Sequence, residues 1–479
     1  MSYLESLRKA AAVTLTENGG KAYDSTLDPC LDFFGLGASK REDPEGAVRL
    51  FLRAYNTDAL VAIRTLFYIR DIRGGQGERD TFRYCLTALL ANYPDTFEKV
   101  INYIPEYGRW DDLLVIPGAV GNAAAVALVK KQLDADLTAP NGAPISLLGK
   151  WMPSENASSR GTKALAKLWA TALGYKSIRN YRKDVVKLRK RITLLETYMS
   201  RNAWGSIQYG KLPSQAMRKH VNAFFRHDED RYAKFLREVT EGKNKINTAT
   251  LSTDDVFQSV ENNARSEATN VIWNSLENVV PEGTNGLVMA DVSGSMCGRP
   301  MRICTSLALY FAERNKGAFA NTFLTFSARP QLVEICGDTL EAKLRNIENA
   351  DWAMNTNIER AFDVLLNTAV KTHAKQEELP DVLYVISDME FDGCVNGADE
   401  TAFENATRKW AEAGYKLPHV VFWNVDARNN HLPATVYSSN VTLISGSNQS
   451  AFKYAVGGKS PRELMDEVVN CERYAQIVL

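Results

Sequence analysis

Two short, mostly apolar runs constrain the fold more than any other feature of the chain. Asn285–Ala290 leads straight into Asp291-Val292-Ser293-Gly294-Ser295-Met296, and Asp381–Ile386 leads into Ser387-Asp388-Met389-Glu390. Such runs, bounded by turn-forming residues, read as buried strands of the kind found in a parallel sheet covered by helices. In an open α/β sheet the strand C-termini share one edge, and ligands bind there. A third segment, Asn355-Thr356-Asn357, stands just before the helical pattern Ile358–Leu366. Three oxygen-bearing segments are therefore expected at one edge.

The chemistry of these residues points to a hard cation. Mg²⁺ prefers octahedral oxygen ligands and keeps some of its waters. Asp291, Ser293 and Ser295 offer a carboxylate and two hydroxyls on a tight loop. Read alone, those six residues also fit a Ser/Gly turn whose Asp caps the next helix. With Thr356 and Asp388 added, residues 283–479 resemble a von Willebrand factor A domain with a metal-ion-dependent adhesion site. The resemblance implies that Ser293, Ser295 and Thr356 touch Mg²⁺ (or Mn²⁺), that Asp291 and Asp388 act through water, and that an acidic partner takes the sixth position.

The alternation of elements after residue 283 fits an α/β Rossmann-like domain. Strands are expected near 286–291, 321–327, 331–336, 382–387, 419–424 and 440–445. Helices are expected near 300–316, 357–373, 400–413, 448–456 and 461–473. Gly457-Gly458-Lys459-Ser460 is not a P-loop, because Lys453 stands where that motif needs its first glycine and the run follows a helix. It reads as a turn, with Ser460 capping a helix that Pro461 opens. No nucleotide cofactor is expected.

Residues 1–280 read as an all-α helical-repeat (HEAT-like) module. Apolar residues recur at three and four in Leu60–Ile69 and Phe82–Leu90, separated by short turns. The formal net charge of zero hides an asymmetry, +7 over residues 1–280 and −7 over 281–479. Residues 151–250 alone hold 21 basic and 8 acidic side chains. That field attracts a polyanion. Within 182–198, Val185, Leu188, Ile192 and Leu195 share one helical face, and Lys183, Lys187 and Lys190 share the other. A solvated basic surface is the plain alternative. Arg218, Lys219 and His220 extend the candidate RNA-contacting set.

Four strings in this half are unusual: Thr16–Gly20 (TENGG), Arg70–Arg79 (RDIRGGQGER), Tyr107–Leu113 (YGRWDDL) and Lys150–Asn156 (KWMPSEN). With the C-terminal domain, they resemble the TROVE module of Ro-type RNA-binding proteins. The resemblance is closer still to a relative of that group in plants, giant viruses and phages whose domain is labelled only as of unknown function. It implies that RNA, structured or single-stranded, is the partner. From the residues themselves, the glycines at 74–77 read as a tight inter-helix turn with Arg73, Glu78 and Arg79 in local ion pairs. Trp110-Asp111-Asp112 reads as a helix start.

No G-x-S-x-G, H-E-x-x-H or Walker motif occurs, and the five histidines do not cluster with a nucleophile. A non-enzymatic protein is expected. Seven scattered cysteines without a C-x-x-C pair, no apolar run of membrane length and no signal-like N-terminus predict a cytoplasmic protein. The expected function is an RNA-binding ribonucleoprotein component with a metal-dependent interaction domain. The alternative is a protein-interaction or assembly scaffold that binds an acidic partner at the metal site, without RNA.

Overall fold

The computed structural model describes the chain except for residues 1, 193, 327–328, 349–355, 395–399 and 456. A first helix, Tyr3–Ala11, leads into a two-stranded hairpin, β1 (Val13–Leu15) and β2 (Lys21–Tyr23), followed by helices through Asn274. Six further strands follow, with helices between β3 and β4, β5 and β6, and β6 and β7: β3 (Gly286–Asp291), β4 (Thr322–Phe326), β5 (Leu332–Glu334), β6 (Val382–Ser387), β7 (His419–Asn424) and β8 (Val441–Ser445).

These six form one sheet in the order β5-β4-β3-β6-β7-β8. All pairs are parallel except β4 with β5. Every residue of β3, β6, β7 and β8 is buried, which is why these strands appear in the sequence as apolar runs. The chain runs outward from β3 to one side and outward from β6 to the other. The crevice at the C-terminal ends of β3 and β6 is thus the topological switch point, where such sheets bind ligands.

All six strands expected from the sequence are present. Residues 449–453 form a 3₁₀ turn where a helix was expected, and Leu340–Glu348 is a helix with no counterpart in the sequence reading. The basic helix runs Ile178–Ile192, and Leu195 belongs to a separate short helix, Leu195–Ser200. The hairpin was also unexpected. Strands of three residues are too short to show alternation and do not stand alone in water. This pair persists because Gly19, Lys21 and Tyr23 form β-bridges to Asp392, Thr401 and Leu432.

The two ends of the chain cross between its halves, and one continuous apolar core runs through both. Near the N-terminus, the Ser445 hydroxyl of β8 donates to the Phe34 carbonyl at 2.9 Å. At the other end, Asp71 is fully buried and accepts from Arg473 Nη2 at 2.7 Å and from the Tyr474 hydroxyl at 2.9 Å. Arg64 reaches the Ala475 carbonyl at 2.9 Å.

The glycine string at 74–77 serves this junction. A Cβ on Gly75 would lie 2.0 Å from the Tyr68 carbonyl oxygen, so only glycine permits the turn. Glu78 pairs with Arg41 and Arg79 with Asp80, while Arg73 donates to the Glu106 carbonyl. Asp112 of the Trp110 string is buried between Arg70 Nε at 2.7 Å and Arg83 Nε at 2.9 Å, a structural ion cluster.

Candidate functional site

Four of the five expected cation ligands converge at the switch point. Asp291 ends β3 and is fully buried; its Oδ1 accepts from the Ser293 amide at 2.9 Å and its Oδ2 from the Ser387 hydroxyl at 2.5 Å. The Ser293 and Ser295 hydroxyls lie 3.0 Å apart, with Ser295 beside the Asp388 carboxylate. Asp388 follows β6, is 2 % exposed, and accepts from the Glu390 amide at 3.1 Å and from Arg428 Nη2 at 2.8 Å. Between Asp388 and Glu390, Met389 takes a left-handed backbone (φ 68°), rare for a non-glycine residue. That conformation aims both flanking carboxylates at the same edge.

Burial pushes the Asp291 carboxyl well above its ordinary range, and the neighbouring Asp388 charge adds to the rise. Burial also raises Asp388, against the nearby Ser295 hydroxyl and the charge of Arg428. Two like charges withdrawn from water in one crevice favour a cation between them.

Thr356, the fifth expected ligand, lies on the same edge in a different set of bonds. Its hydroxyl accepts from Asn18 Nδ2 at 2.8 Å and donates to Asp392 Oδ1 at 2.8 Å. Asn355 lies outside the described residues. Asn357 caps the next helix by accepting from the Arg360 amide at 3.0 Å.

The sequence reading missed the residues that surround this core. Glu390 is 1 % exposed; despite its burial, bonds from His431, the Glu17 amide and Asn429 hold its carboxyl below the ordinary range. His431 Nδ1 lies 2.8 Å from Glu390 Oε2. Arg428 links Asp388 to Glu17 of the hairpin turn. The Thr16–Gly20 string is conspicuous in the sequence, but nothing there connects it to residues almost four hundred positions away.

The residues fit a divalent cation by donor chemistry and by spacing. An octahedral ion with metal–oxygen distances of about 2.0–2.1 Å holds neighbouring oxygens about 3 Å apart. The two serine hydroxyls stand at that separation, which equally suits a hydrogen bond between them. Among the described residues, no group of three or more His, Cys, Asp or Glu side chains is arranged to hold a metal. The set is instead two carboxylates with hydroxyls, suited to a hard ion that keeps water.

The second candidate surface is the basic helix. Tyr181, Val185 and Leu188 face the core, and Lys183, Lys187 and Lys190 are exposed on the opposite side. Lys163 and Lys167 of the preceding helix, Arg160–Ala172, are exposed as well. Arg179 and Arg182 are exposed too, whereas the two arginines near the end of the basic helix turn inward. Arg189 donates to the Gly149 and Met152 carbonyls, and Arg191 to those of Asp136, Ala139 and Pro140.

Arg218, expected on the RNA-contacting surface, is instead buried. It donates to the Asp255 carbonyl at 2.9 Å and the Ser259 hydroxyl at 3.2 Å, and pairs with the Asp255 carboxylate. A guanidinium with a neighbouring helix to satisfy its fork does not face solvent. Lys219 is exposed and His220 is partly buried. Trp204 and Tyr209 are buried, Trp204 stacked on His227 at 4.4 Å. Among the described residues no helix is long and apolar enough to cross a membrane.

The family described as Domain of unknown function (DUF2828) matches residues 16–116 and 123–280, and Domain of unknown function (DUF7788) matches residues 285–475. "Uncharacterized protein L728" of Acanthamoeba polyphaga mimivirus is 30% identical over 484 residues, spanning 92% of this chain and 84% of that protein. The crystal structure of Deinococcus radiodurans RO (RSR) protein superposes over 94% of this chain and 100% of that one, at 13% identity and a TM-score of 0.39.

Proposed function

The chain belongs to the DUF2828 family, and we propose that it is an RNA-binding protein whose sheet edge is a cation-dependent docking point. RNA lies along the lysine face of Ile178–Ile192. The observation that carries this reading is that Lys183, Lys187 and Lys190 stand exposed on one face, with no carboxylate partner among the described residues, while Arg189 and Arg191 of the same helix are engaged inside the fold. Lysines on flexible stems contact phosphates as point charges and carry no base preference. With Trp204 and Tyr209 packed away, phosphate contacts supply the affinity rather than base stacking on those rings.

At the sheet edge, Ser293, Ser295 and Thr356 would hold Mg²⁺ or Mn²⁺, with Asp291 and Asp388 behind them. Bound there, the ion supplies an open coordination position for an acidic group. The buried carboxylates orient the serine hydroxyls and keep the crevice negative. A scaffold that binds an acidic protein through this edge, without RNA, is the second reading. The burial of Arg218 favours it, because that removes one cation from the expected RNA surface.

Salt-dependent binding of a labelled single-stranded RNA separates the two. Reversing Lys183, Lys187 and Lys190 to glutamate should lower affinity at least about tenfold at physiological salt and flatten the logarithmic salt slope by about 2. Unchanged affinity and slope, with an unchanged melting temperature, would exclude this face. Absence of RNA binding by the wild type at low salt would leave the scaffold reading.

A further inference from the structure

We propose that Glu17 is the cation site's own acidic ligand, presented in cis by the N-terminal hairpin, so that an outside carboxylate reaches the site only when the turn lifts. This rests on the cation reading above.

The turn lies across the opening of the site. Glu17 Oε2 is 3.3 Å from Arg428 Nη2, and the same nitrogen donates to Asp388 Oδ2 at 2.8 Å. One guanidinium nitrogen therefore separates the hairpin carboxylate from the expected cation ligand. The next residue, Asn18, donates from Nδ2 to the Thr356 hydroxyl at 2.8 Å and to the Glu390 carbonyl at 2.6 Å. Consecutive side chains of one turn thus meet the two separate parts of the site, Thr356 directly and Asp388 through Arg428.

The docking is specific. The Thr16 hydroxyl donates to the Phe391 carbonyl at 2.6 Å, the Glu17 amide to Glu390 Oε2 at 2.8 Å, and Asn429 Nδ2 to Glu17 Oε1 at 2.8 Å. A Cβ on Gly20 would lie 2.5 Å from the Phe391 carbonyl oxygen, so the chain approaches closely only because residue 20 is glycine. Glu17 is nonetheless half-exposed, its side chain 48 % accessible.

The electrostatics argue for a role beyond docking. Asp291, Asp388, Glu390 and Asp392 are spread along this edge in separate bonds, and Arg428 is the cation that bridges Asp388 to Glu17. One guanidinium carries a single positive charge, shared between Glu17 and Asp388, and leaves the edge with more carboxylates than cations. An ion with an open position and a preference for carboxylate oxygen accepts Glu17.

Mn²⁺ titration of the full chain tests the proposal, with acetate as the probe carboxylate. Glu17→Gln, which can still hydrogen-bond Asn429, and Glu17→Ala should each weaken Mn²⁺ binding about tenfold, the scale of one lost carboxylate contact. Tens of millimolar acetate, roughly, should restore Mn²⁺ affinity to Glu17→Ala and leave the wild type unchanged. Gly20→Ala, which lifts the turn without altering charge, should gain the same acetate response. Wild-type Mn²⁺ affinity in Glu17→Gln and Glu17→Ala, with no acetate effect, overturns the proposal and leaves the cation site standing. Absence of Mn²⁺ binding by the wild type, or equal binding by Asp291→Ala, overturns the cation reading and this proposal with it.

Discussion

Asp291→Asn should stabilise the metal-free protein and abolish its response to metal. The amide keeps the shape of the carboxylate. Its oxygen can still accept from the Ser293 amide, and its nitrogen can donate to the Ser387 hydroxyl, which already accepts from the Met389 amide at 2.9 Å. What is lost is a negative charge, buried beside Asp388, whose burial raises both carboxyls. Relief of that charge is worth about 1–3 kcal/mol. Weakening the charge-assisted bond from Ser387 costs about 1 kcal/mol, so the variant should gain about 1 kcal/mol in EDTA. Mn²⁺ at a hundred times its dissociation constant stabilises the wild type by about 2.7 kcal/mol and should leave the variant unmoved, so the order of stabilities reverses. Melting in EDTA and in Mn²⁺, with amide exchange in β3 and β6 as the local readout, measures both differences. A variant less stable than the wild type in EDTA by more than about 1 kcal/mol, together with a wild type that ignores Mn²⁺, would mean that Asp291 only caps its turn.

Other perturbations probe the fold around the site. Asp71→Ala strips the acceptor from the buried Tyr474 hydroxyl and frees Arg473, and should cost about 3 kcal/mol and expose the C-terminal helix to protease; a loss under about 0.5 kcal/mol would refute a bolting role. Arg218→Ala should destabilise by about 2 kcal/mol while leaving the RNA salt slope unchanged, and a flattened slope would return Arg218 to the RNA surface. His419 is buried between Thr442 and the Gly458 amide, and burial lowers its pKa to about 4. A histidine held neutral in the fold stabilises above its unfolded pKa of about 6.5 and loses that contribution as pH falls toward 4. Stability should drop by about 2 kcal/mol between pH 7 and 5 through this residue. Equal pH slopes for wild type and His419→Gln over that window would exclude it.

The sheet and the heart of its site are legible in the primary structure for local reasons. A strand covered on both faces is apolar at most positions, so β3, β6, β7 and β8 announce themselves within six residues. Asp291, Ser293 and Ser295 are close because one turn carries them, and Asp388 joins them because parallel strands bring their C-termini together. Helical spacing likewise separates Lys183, Lys187 and Lys190 from Val185 and Leu188. The same spacing cannot distinguish buried Arg218 from exposed Lys219, because only a neighbouring helix decides whether a guanidinium finds Asp255 and Ser259. Nor can it pair Asp71 with Arg473, or Glu17 and Asn18 with Arg428 and Thr356. Those bonds join charges and amides that carry no local pattern, and the three-residue strands of the hairpin are too short to signal themselves. Packing brings the ends of the chain together, so the lining of the site beyond its first four residues exists only in three dimensions.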